Sequence, residues 1–225
     1  MLPARRHEIS RLEAFSDAAF AFALTLLVVS LEVPRSYADL IRTMRGLPSF
    51  ACCFALLVWI WHEHNLFFRR YGMQDGLTVF LNAALMFVVL FYVYPLKFMF
   101  DSMFGRLGAT PELQQMTLAQ LSRASAIYGL GFLVLFGIFA LLYSHAHRKR
   151  DALALTPVEV LDIKAFRNHH LLSAGVGLFS IVFALTAPLT MAPIAPALYS
   201  LMGPLHWGYG VHNERKRRKF VAAQR

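Results

Sequence analysis

Charge is scarce in this sequence: of 225 residues only 16% are Asp, Glu, Lys or Arg, and 13 are acidic. Ordinary soluble domains carry about a quarter of their residues as charges. Cysteine is scarcer still. Cys52 and Cys53 stand side by side inside an apolar run, which leaves neither a disulfide framework nor a four-ligand zinc site and makes them packing residues. The first apolar run outlasts a signal h-region, is followed by no small-residue cleavage site and stops at "SLEVP", so it reads as a retained membrane span. Two-residue alternation is missing from the long apolar runs, which excludes a membrane barrel.

Apolar residues fill the space that charge leaves. They make up 57% of the chain, with 20 phenylalanines and a mean hydropathy of +0.50. A helix needs about 20 mostly apolar residues to cross the hydrocarbon core. Six segments qualify: Ala14 to Val33, Leu47 to Phe68, Leu77 to Phe100, Ala124 to Ser144, His169 to Ala187 and Leu189 to Tyr209. Pro193, Pro196 and Pro204 interrupt the last, which neighbouring helices can tolerate. The expected fold is all-α, a polytopic membrane protein with six transmembrane helices.

The basic residues set an orientation. With the amino terminus inside, the inner segments hold 16 of the 22 Lys and Arg: Arg5, Arg6, Arg11, Arg69, Arg70, Arg148, Lys149, Arg150, Lys164, Arg167 and the tail Arg215, Lys216, Arg217, Arg218, Lys219 and Arg225. Arg35, Arg42, Arg45, Lys97, Arg106 and Arg123 fall outside. This asymmetry satisfies the positive-inside rule and puts both termini in the cytoplasm of a plasma-membrane protein. The net charge of +9 is thereby explained without nucleic acid. Residues 1–215 read as one transmembrane domain and 216–225 as a basic cytoplasmic tail, a topology anchor that could also hold anionic lipid.

The first span carries a carboxylate, Asp17, in its opening turns. On a wheel of about 100 degrees per residue, Arg11, Phe15, Ala18, Thr25, Leu26 and Val29 gather around Phe22, while Ser16 and Asp17 point elsewhere. A desolvated carboxylate needs a partner. Trp61, His64 and Asn82 can each donate a hydrogen bond at the same depth, which makes a polar clasp of α-helical spans the expected role of Asp17. The neighbouring "HEH", His62 to His64, lacks the HExxH spacing, and its histidines diverge by about 200 degrees, so no metal centre is expected. His169 and His170 read as an interface, and His145 and His147 as part of a solvated basic loop. Two functional readings stand beside a plain packing role for the first helix. One is a proton-coupled transporter with a relay through Asp17, His62, Glu63 and His64; the other, a membrane enzyme, lacks a constellation of ligands or a nucleophile with its base.

The stretch "RLEAFSDAAFAFALTLLVVSLEVP" resembles the first helix of the transmembrane protein 175 family of potassium channels, matching in order at Arg11, Phe15, Ser16, Asp17, Thr25, Leu26 and Leu27. Trp61, His64 and Asn82 extend the match into the second and third helices, and beyond these the resemblance is one of topology. It implies a non-enzymatic, cofactor-free potassium channel, a homotetramer of six-helix chains with the first helix lining the pore. It further implies that Arg11, Phe15, Ser16, Asp17, Trp61, His64 and Asn82 form the network holding that helix. Phe22 would then be the constriction, Thr25 a hydroxyl layer and Val29 the next apolar layer, with Leu26 beside them and Glu32 at the exit. Two departures stand out. Phe22 replaces the family's usual aliphatic residue, so its ring could expel water or offer its face to a cation, and Asn65 stands where a second histidine is common.

Overall fold

The computed structural model describes residues 9–31, 33–104 and 116–223. Glu32, Arg5, Arg6, Arg106 and Arg225, to which the sequence assigns an exit or a topological role, lie outside the described residues. The chain runs through α1 (Arg11–Val29), α2 (Tyr37–Arg45), α3 (Leu47–Tyr71), α4 (Gly76–Met103), α5 (Leu118–Arg148) and α6 (Pro157–Thr186). Two 3-10 turns, Leu189–Met191 and Leu198–Leu201, flank the short α7 (Ile194–Ala197), and α8 (Met202–Ala222) closes the fold. Among the described residues five helices, α1 and α3 to α6, are long and apolar enough to cross a membrane. They coincide with the first five expected spans.

Local chemistry sets the boundaries. Ser10, Thr117 and Thr156 open α1, α5 and α6 with capping boxes, each closed by the Glu or Gln three residues on. Gly72 ends α3 in the left-handed conformation at φ 55°, which a glycine takes without a Cβ clash. The expected span Leu189 to Tyr209 is not one helix. Pro193 and Pro196 remove backbone donors and clash with the preceding turn, so the segment breaks into short turns before α8 forms. The boundary drawn after Arg215 falls inside α8, which runs through it unbroken. The sequence pattern also gives no sign of α2, an amphipathic helix capped by Ser36 and lying beside α3.

The broken segment and α8 together run back along α6. Ser180 Oγ donates to the Ala195 carbonyl at 3.1 Å, Ser173 Oγ meets His206 Nε2 at 3.0 Å, and Tyr209 donates to the Ala165 carbonyl at 3.1 Å. Arg217 reaches Asp162 near the start of α6 at 3.1 Å. At that same end, Asp75 caps α4 and binds His145 Nε2 of α5 at 2.9 Å and Lys149, the residue that ends α5, at 3.2 Å. His145 therefore sits buried on α5 and not in a solvated loop. Burial raises the Asp75 carboxyl, but its hydrogen bonds from His145, Lys149 and Thr78 outweigh that and hold it well below the usual range.

α5 and α6 form the closest pair. A Cβ on Gly177 would lie 3.1 Å from the Leu133 nitrogen and 3.2 Å from the Gly129 carbonyl, so the two backbones touch where both residues lack side chains. α4 packs on α5 through Tyr92, whose hydroxyl donates to the Tyr128 carbonyl at 2.8 Å and whose ring fills the space left by Gly131. His170 is fully buried in this bundle, its ring stacked against Phe139 and Tyr143.

Candidate functional site

α1 is fastened on one side only. Ser16, Phe20, Ala23 and Leu27 recur at helical spacing and are buried against α3 and α4. Lipid tails are as apolar as these side chains, so burial alone gives the helix no preferred face in a membrane, and close packing plus polar contacts must do so.

The polar contacts form two short chains of bonds. Ser16 Oγ donates to the Leu12 carbonyl at 2.8 Å and accepts from Asn82 Nδ2 at 2.9 Å. Asn82 Oδ1 lies 2.8 Å from His64 Nε2; an amide oxygen only accepts, so this ring nitrogen carries the hydrogen. Three helices are thus joined through one fully buried amide. A turn away in space, the Trp61 indole donates to Asp17 Oδ1 at 2.8 Å, giving the carboxylate its partner from α3. Phe20 packs edge-on to His64 with centroids 5.6 Å apart, so the same imidazole is held by an amide and a ring.

The remaining residues singled out from the sequence stand on the other side of α1. Arg11, Phe15, Ala18, Phe22, Thr25 and Val29 are exposed in the single chain, and Leu26 is half-buried. Phe22 is 56% and Val29 71% exposed. Arg11 and Phe15 share this open face, away from the hydrogen-bonded set. Thr25 donates its hydroxyl hydrogen to the Ala21 carbonyl at 2.9 Å, which leaves its oxygen lone pairs turned to the open side.

The four groups of the relay reading do not converge. Asp17 bonds Trp61, His64 bonds Asn82, Glu63 faces His170 Nε2 at 3.5 Å in the α3–α5–α6 interior, and His62 is exposed. His169, which the sequence paired with His170, meets His206 of α8 through facing Nδ1 atoms 2.9 Å apart. The contact between α6 and α8 could not be read from the sequence, since nothing in a proline-broken segment announces which helix it returns along.

These features define a multi-pass α-helical membrane protein whose first helix is clasped on one face and open on the other. The profile of the family described as endosomal/lysosomal potassium channel TMEM175 matches residues 11–92, from α1 into α4. A protein of Marivirga tractuosa named Potassium channel is 35% identical over 96% of this chain and 92% of its own length. A Chamaesiphon minutus potassium channel is 27% identical over 80% of this chain and 84% of its own. The crystal structure of the potassium channel MtTMEM175, a variant bound to a nanobody–MBP fusion, superposes with a TM-score of 0.81 at 33% identity, covering 95% of this chain and 97% of that one. A second structure, a lysosomal potassium-selective channel TMEM175 homolog from Chamaesiphon minutus, shares the fold at TM-score 0.59 and 20% identity over 90% and 96% of the two chains. The chain belongs to the TMEM175 family. The sequence likeness continues past α4, where the residues alone carry only a resemblance of topology.

Proposed function

We propose that this protein is a potassium channel whose pore is lined by α1 from each of several identical chains around a cyclic axis. The observation that carries this reading is the open face of α1: Phe22, Thr25 and Val29 are exposed on a helix whose opposite face is buried and clasped. One helix is about 10 Å wide, so enclosing an axial hole takes several copies; four is the number carried over from the family resemblance. Six crossings complete the protomer, the sixth formed by the broken segment and α8 returning along α6. Both termini then face the cytoplasm of the plasma membrane, with the basic end of α8 beside its anionic lipids.

Phe22 forms the constriction in this pore, a hydrophobic ring that sheds water from the passing ion. Thr25, one turn on, offers oxygens whose hydrogens are already committed to Ala21. The chain has no TVGYG filter; potassium passes more readily than sodium because it loses its hydration shell at lower cost. Arg11 and Phe15 stand at the foot, while Ser16, Asp17, Trp61, His64 and Asn82 fix the rotation of α1 so that Phe22 meets the axis. Potassium and sodium flux into liposomes, compared between the parent and Phe22→Ala, tests this. The reading expects flux in the parent, with a several-fold increase and weaker selectivity in the variant. Flux that needs a proton gradient and ignores Phe22 would sink it.

A further inference from the structure

An apolar cavity of about 310 Å³ lies between α3, α4, α5 and the broken segment, away from the open face of α1. Leu56 and Trp59 wall it from α3, Met99 from α4, and Tyr128 and Phe132 from α5. Tyr199 closes it from the broken segment, its ring edge-on to Tyr128 and Phe132 with centroids 4.8 and 4.9 Å apart. Prolines shape this wall: Pro193 and Pro196 break the segment into short turns, and Pro196 itself lines the cavity. Among the described residues, none that lines the cavity is charged.

We propose that this cavity binds one acyl chain of a membrane lipid. Three observations select hydrocarbon. The walls are aliphatic, aromatic and thioether groups, which suit apolar ligands, and the methionines can adapt to an irregular chain. The cavity extends from Trp59 and Phe132, near the middles of α3 and α5, to Met99, near the end of α4 opposite Asp75; this is the depth range of the chains of one leaflet. Its rim includes Met103, Ala197 and Ser200, which are exposed, so the cavity is open to the surface of the chain at that depth. The volume sits at the low end of ligand sites, about 300–1,000 Å³, room for much of one chain and not for both tails of a phospholipid. The site rests on the membrane reading and not on the position of the pore.

The test uses the full chain in nanodiscs of phosphatidylcholine brominated midway along the acyl chains. Trp59 fluorescence is isolated as the difference between Trp207→Phe and Trp207→Phe/Trp59→Phe proteins. Native mass spectrometry counts the phospholipids retained per chain after detergent washing. The expected result is strong quenching of Trp59 that falls several-fold when Ala197→Phe fills the cavity, with loss of one retained lipid per chain. Leu56→Phe, which fills from α3, serves if the first variant aggregates. Equal quenching with and without the filling residue, or no retained lipid to lose, would overturn the proposal; the second outcome would leave the cavity to another chain or to another part of this one.

Discussion

At the residue scale, the clasp depends on one amide. Asn82 is fully buried and bonded to both Ser16 and His64, so its removal leaves an imidazole N–H and a hydroxyl without their shared partner. Asn82→Ala is expected to cost about 1–3 kcal/mol, the penalty of stranding buried polar groups, and to lower the unfolding midpoint in detergent. An unchanged midpoint would show that α1 is held by packing alone. Asp17, Trp61, His64 and Asn82 are legible in the sequence, because a carboxylate, an indole, an imidazole and an amide at one membrane depth have few partners but each other; Ser16 enters only through the family resemblance, which also names Arg11 and Phe15, and these two stand on the open face. The pairing is not legible. Asp17 takes Trp61, while Ser16 and not Asp17 takes Asn82, a choice made by how α3 and α4 rotate against α1.

At the element scale, two junctions hold the bundle. Gly177 and Gly129 let the backbones of α5 and α6 meet: a Cβ on Gly177 would press first on the Leu133 and Gly129 backbone, and one on Gly129 on the Ile181 side chain and the Gly177 carbonyl. Gly177→Val should therefore destabilise the protein by about 1–3 kcal/mol, the usual range for overpacking, seen as a lower midpoint or as aggregation in size-exclusion chromatography. Asp75 joins the start of α4 to the end of α5. Its folded value is depressed, so its contribution is present above the free carboxylate range, about 3.9, and is lost as pH falls through the lower folded value. The midpoint difference between parent and Asp75→Asn should be steady near neutrality and shrink in acid. A difference that grew in acid would contradict the assignment. Five spans can be read as elements because each is a long apolar run with its own caps. The sixth cannot, since prolines make apolar length a poor guide to helix continuity.

At the scale of the whole molecule, the return of α8 along α6 brings Arg217 to Asp162, at the end where Lys149 meets Asp75. The first helix begins at that end too, bonded to the second turn of α4 through Asn82. The excess of basic residues at this end is visible in the sequence, because charge that must avoid hydrocarbon sorts itself into the connecting segments. How many chains assemble is not visible, because a stripe of Phe, Thr and Val packs on a neighbour's helix or lines a hole with the same residues.

If the open face of α1 borders the ion path, a thiol placed on it is within reach of a charged reagent that enters the pore. In a Cys52→Ser/Cys53→Ala background, Thr25→Cys would be treated with a positively charged methanethiosulfonate while potassium flux into liposomes is followed, with Phe87→Cys, on an exposed part of α4, as the comparison. Labelling Thr25→Cys should stop most of the flux and labelling Phe87→Cys should leave it unchanged. Full labelling of Thr25→Cys, verified by mass, with flux undiminished would contradict a pore lined by α1.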